Sequence, residues 1–131
     1  MTLSPRRKLI GLVLLSVLLA STAQIVMKSG MNSVSSSGAL VLTSPSTWIP
    51  VFTNIQVIGG LTMVGCAFIL WLGALGRVDV SLLHPLAATG YVLTAVFAIV
   101  LLGEVVSAAR WLGVALIVVG STLVARTQVP R

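Results

Sequence analysis

The chain has 131 residues, of which 57% are hydrophobic and 8% charged, and its net charge is +6. A soluble domain carries about 25% charged residues, so this composition excludes one and turns the positive balance from a nucleic-acid signal into a topology signal. A single cysteine, Cys66, excludes a disulfide framework and a cysteine-based metal site.

Four apolar runs follow one another, at 9–27, 55–75, 80–102 and 108–125. Each approaches the roughly 20 helical residues needed to cross about 30 Å of hydrocarbon. They predict an all-α membrane protein with four transmembrane helices in an antiparallel bundle, forming one domain over 1–131. Arg6, Arg7 and Lys8 precede the first run, and Ser21-Thr22-Ala23 has the form of a signal-peptidase site. Because three more spans follow, a retained first helix is expected. An even number of spans puts both termini on one side, with Arg6, Arg7, Lys8, Arg77, Arg126 and Arg131. Lys28 and Arg110 fall on the other. The excess of basic residues beside the termini predicts that both are cytoplasmic.

In the first helix Ser21, Gln24 and Lys28 are spaced by three and four residues and share a face. A primary amide in lipid needs a partner, so Gln24 faces either another helix or a cavity. Lys28 lies near an interface, where it snorkels to water or holds a phosphate. The connection over 29–53 is the only long one. Ser, Gly and Asn over 29–38 predict flexibility, and Pro45 to Phe52, which holds Trp48, Pro50 and Phe52, reads as an interfacial segment. Aromatic belts account for Trp48, Trp71 and Trp111. The second helix carries Gly59, Gly60, Gly65, Gly73 and Gly76, a small-residue surface suited to close packing.

The third helix opens with Leu83-His84-Pro85. Pro85 has no N–H to donate and should loosen the first turn, where His84 can titrate near neutral pH or donate to a phosphate. Thr89 and Tyr91 lie deeper, with hydroxyls that a substrate or a backbone carbonyl can satisfy. In the fourth helix Gly113 and Gly120 stand seven residues apart, about two turns, and form a strip for packing within the chain or between chains. The charges at helix ends are Arg77, Glu104 and Arg110, with Glu104 placed to cap the fourth helix or pair with Arg110. The only acids, Asp79 and Glu104, lie outside the spans. With no nucleophile–base pair and no His/Cys cluster, neither catalysis, a metal nor another cofactor is expected.

The run Ala23-Gln24-Ile25-Val26-Met27-Lys28 resembles the drug/metabolite transporter superfamily, whose small members have four spans. Leu70-Trp71-Leu72, Pro85, Gly103-Glu104 and the stretch from Trp111 to Gly120 continue the likeness in order, so that it covers nearly all of the chain outside 31–52. Small multidrug resistance exporters carry a glutamate in the first helix and a tyrosine and tryptophan early in the third. The matching positions here are Ala20, His84 and Ala87. The flippase subunits for aminoarabinose-phosphoundecaprenol lack that glutamate, and the chain is more similar to them.

This resemblance implies a bacterial inner-membrane transporter that flips a polyprenyl-phosphate-linked sugar or a related polar lipid. It acts as a homodimer or as a heterodimer with a second four-span subunit, and has no nucleic-acid partner. Ser21, Gln24, His84, Thr89 and Tyr91 would line a groove, with Lys28 and Arg77 holding phosphate at its two ends. A drug or metabolite exporter that borrows a partner's carboxylate, and a non-transporting accessory subunit, remain the alternatives.

Overall fold

The computed structural model describes residues 5–36 and 48–127, with side chains from Lys8 onward in the first segment. Five helices follow in order: α1 (Pro5–Ser36), α2 (Trp48–Thr53), α3 (Ile55–Leu75), α4 (Val80–Leu102) and α5 (Ala108–Arg126). Four of them, all but α2, are long and apolar enough to cross a membrane. The fold is all-α, with no strand among the described residues.

The local chemistry of each boundary is visible. Asn54 caps α3, its Oδ1 accepting from the Gln56 and Val57 amides at 2.9 and 3.3 Å. Ser107 caps α5 by accepting from the Arg110 amide, so Glu104 is not that helix's cap. Gly103 ends α4 in the left-handed conformation, φ 65°, which a side chain would disfavour. Its amide and that of Glu104 return to the Ile99 and Ala98 carbonyls at 3.1 Å each. Pro50 is tolerated because it lies in the first turn of α2. Pro85 sits inside α4, which stays helical around it.

Helix α1 is the hub. Both α3 and α4 pack extensively on it, whereas α3 and α4, although consecutive, make little contact beyond the cluster that Ala74 and Leu83 share beside α1, and α5 rests mainly on α4. Gly60 of α3 crosses α1 at Ala23 and Met27, and Gly30 of α1 meets Val57 of α3 and its cap Asn54, so the two helices run antiparallel. Gly90 meets Val17 and Ser21, while Leu83 joins the cluster of Val13, Val17 and Ala74, so α1 and α4 run parallel. The tight turn at 76–79 joins two helices that then diverge, leaving space between them against α1.

The expected flexibility of 29–38 is corrected over 29–36, where α1 continues as helix; residues 37–47, including the start of the expected interfacial segment, lie outside the described residues. Ser, Asn and Gly are poor helix formers, but tertiary packing overrides propensity. Val34 is buried with Val51 of α2 and Val57 of α3, and Met31 packs against them. The Asn54 side chain that caps α3 also donates to the Ser33 hydroxyl at 3.0 Å, tying the end of α1 to the start of α3. At about 1.5 Å per residue the 32-residue α1 is about 48 Å long and outreaches a hydrocarbon core.

Of the second span's glycines only Gly60 marks a close crossing; a Cβ there would collide with the Met27 side chain and lie 3.0 Å from the Ala23 carbonyl oxygen. Gly59, Gly65 and Gly76 have nothing within reach. Gly60→Ala is accordingly expected to destabilise the protein by about 1–3 kcal/mol through overpacking, whereas Gly59→Ala is tolerated. Thermal unfolding of the two variants in the same detergent measures the difference.

Candidate functional site: a groove along the first and fourth helices

Two cavities open beside the α1–α4 contact. The first, about 410 Å³, is bounded by α1, α3 and α4, and its lining includes Ser16, Ser21, Gln24, Trp71 and Tyr91. The second, about 340 Å³, is bounded by α1, α4 and α5 and contains Lys28, Glu104 and Arg110. Gln24, Tyr91 and Thr94 line both, so the two cavities meet at these residues. They form a groove with α1 and α4 as its floor, α3 as one wall and α5 as the other.

The first cavity is apolar with a few hydroxyls. Ser16 satisfies itself on the Val13 carbonyl at 2.7 Å. The Ser21 hydroxyl reaches across to the Gly90 carbonyl at 3.4 Å, a contact that a side chain at position 90 would disturb, since a Cβ there would lie 3.1 Å from Val17. Gln24, Tyr91 and Thr94 differ from these. Their side chains make no hydrogen bond among the described residues, and Tyr91 is 61% exposed. Three polar groups in an apolar protein are thus presented at one junction without partners of their own.

The second cavity holds the charge. Lys28 forms an ion pair with Glu104, with side chains 48% and 27% exposed, so the pair expected between Glu104 and Arg110 is replaced. The left-handed turn at Gly103 ends α4 beside α1, and this brings Glu104 to Lys28, about two turns before the end of α1. Arg110 lines the same cavity and has no ion pair among the described residues. Two cations against one carboxylate leave a positive balance. A pair this exposed contributes only about 0–1 kcal/mol in water and is readily rearranged.

The structure therefore gathers four of the six expected substrate-binding residues, Ser21, Gln24, Lys28 and Tyr91. His84 and Thr89 line neither cavity. The His84 ring is turned back to the Val80 carbonyl, 3.0 Å from Nδ1; a carbonyl only accepts, so Nδ1 carries the proton. The Thr89 hydroxyl donates to the Leu86 carbonyl at 2.6 Å. Arg77 stands in the turn at the opposite end and also lines neither cavity. Trp71 is not simply a belt residue, because it packs on the Val13–Leu83 cluster and lines the first cavity. Thr94 was not expected at the site. Its signal is the spacing of three from Tyr91, which puts both on one face of α4. Ala20, where the small multidrug exporters carry their glutamate, also lines the first cavity and brings no acid to it.

These features define a small polytopic membrane protein built around a groove that is apolar along most of its length and cationic at one end. No family model and no solved structure matches the chain. Several curated proteins do. A Sodalis glossinidius protein named "Probable 4-amino-4-deoxy-L-arabinose-phosphoundecaprenol flippase subunit ArnF" is 34% identical over 119 residues, covering 87% of this chain and 88% of its own. A Shewanella sediminis protein of the same name is 33% identical over 129 residues, covering 92% and 88%. An Aeromonas hydrophila protein with the corresponding name for subunit ArnE is 33% identical over 67 residues, 51% of this chain and 59% of its own. The chain belongs to the family of 4-amino-4-deoxy-L-arabinose-phosphoundecaprenol flippase subunits.

Proposed function

We propose that this protein is one subunit of a transporter, not an enzyme, that moves a polyprenyl-phosphate-linked amino sugar across a bacterial inner membrane, with both its termini cytoplasmic. The observation that carries this reading is the groove itself, which combines an apolar floor, three unpartnered polar side chains at its middle and two cations at its end. A lipid-linked sugar presents the same order of chemistry. Its tail needs only hydrocarbon, its hydroxyls need neutral donors and acceptors, and its phosphate needs positive charge. Ser21, Gln24, Tyr91 and Thr94 hold the sugar, and Lys28 and Arg110 hold the phosphate. A second four-span subunit, identical or related, covers α5, none of whose residues is buried in the single chain.

The test uses vesicles containing the protein, alone and together with a second subunit of the family, and a short-chain polyprenyl-phosphate 4-amino-4-deoxyarabinose. A membrane-impermeant amine reagent labels only lipid on the outer surface. Protein-dependent exposure of inner-leaflet lipid is the expected result. Rates equal to those of protein-free vesicles in both arrangements would end this reading.

A further inference from the structure

The chain has only two carboxylates, Asp79 and Glu104. Asp79 stands just before α4, at the end away from Lys28, and lines neither cavity. Glu104 is therefore the one acid a cargo in the groove can meet, and it shares its cavity with two cations. A site for phosphate alone gains nothing from it, because a carboxylate there repels the phosphate and occupies Lys28. The acid is useful when the cargo brings a cation of its own.

We propose that the charged end of the groove selects a head group bearing both a phosphate and a primary ammonium, by exchanging its internal ion pair for two new ones. Glu104 leaves Lys28 and takes the ammonium; Lys28, joined by Arg110, takes the phosphate. This rests on the transport reading above and names the feature of the cargo that is read.

Three observations support the exchange. The Lys28–Glu104 pair lines the cavity and is partly exposed, so a cargo reaches it without unpacking a helix. The backbone of Glu104 lies in the non-helical segment 103–107, so its carboxylate can turn without distorting α4 or α5. Arg110 is free of ion pairs among the described residues and is available to the phosphate. Every charge has a partner after the exchange, which avoids the large penalty of a bare ion beside hydrocarbon. Phosphatidylethanolamine carries the same two charges on a shorter spacer, so the experiment must separate the bulk lipid from the sugar lipid.

The full chain is placed in nanodiscs of phosphatidylglycerol and phosphatidylcholine. Binding is measured for the short-chain amino-sugar lipid and for its N-acetyl form, which loses the positive charge but keeps the sugar and phosphate. The wild-type protein is expected to prefer the amine by about tenfold to a hundredfold, the effect of one charge-assisted hydrogen bond. Glu104→Gln binds the two forms alike, and Lys28→Gln weakens both by a similar factor. Equal affinity in the wild type, which needs no variant, overturns the proposal, and so does a Glu104→Gln protein that keeps the preference. Phosphatidylethanolamine competing as well as the amino-sugar lipid would support the two-charge exchange and overturn the sugar-lipid reading of the cargo. Failure to bind either sugar lipid strikes at the transport reading itself.

Discussion

Thr94→Trp is expected to reduce lipid transport to the rate of protein-free vesicles while leaving the helices assembled. Thr94 lines both cavities, on the α4 side of the junction where they meet. An indole there fills the neck between spaces of about 410 and 340 Å³ and separates the cationic end from the apolar part. The fold should tolerate the change, because Thr94 makes no hydrogen bond to lose and is only partly buried. The variant is measured by amine labelling in vesicles, alongside circular dichroism and elution as a single species. Thr94→Ser is the control and should transport normally. If Thr94→Trp transports at the wild-type rate, the cargo does not pass this junction.

Gly113→Leu should have the second large effect, on assembly and not on the chain's own fold. A Cβ at Gly113 or Gly120 would meet nothing within 4 Å, and α5 packs mainly on α4. The glycine strip is therefore unused inside the chain. In lipid, helices associate by close backbone approach at such small residues, and a leucine holds them apart. Loss of about 1.4 kcal/mol at that contact weakens association tenfold. Energy transfer between labelled subunits, measured across a series of protein-to-lipid ratios, should shift by at least that factor. Thermal unfolding of dilute protein in detergent should be unchanged. Transport should fall in parallel with association if the active form is a dimer. A variant that unfolds while still associating would place the strip inside the fold.

Much of the architecture could be read from the residues. The long apolar runs announce their helices because a bilayer demands length and the absence of charge. Ser21, Gln24 and Tyr91 stand out for the related reason that polar atoms in apolar runs need an explanation. His84 and Thr89 gave the same signal without belonging to the groove. Each satisfies itself on a carbonyl of its own helix, and sequence alone does not say which polar side chains do so. Trp71 was hidden by the opposite ambiguity, since a tryptophan near a helix end fits an interfacial belt as well as a cavity wall.

The Lys28–Glu104 pair was not legible because it depends on how the chain returns after Gly103. In sequence, Glu104 lies nearer to Arg110. The helical course of 29–36 was obscured by residues that favour loops when isolated. The partners that hold it, Val51, Asn54 and Val57, come from elements further along the chain.

The divergence of α3 and α4 from their shared turn has a consequence for what the protein can discriminate. A bundle sealed on all sides would have to enclose its whole cargo and would sort lipids by size. Here α3 and α4, which bound the first cavity together with α1, make little contact with each other away from their shared turn, so an isoprenoid can trail into the surrounding bilayer throughout. Tail length is then invisible to the protein, and lipids of ten or fifty-five carbons with the same head group should cross at the same rate.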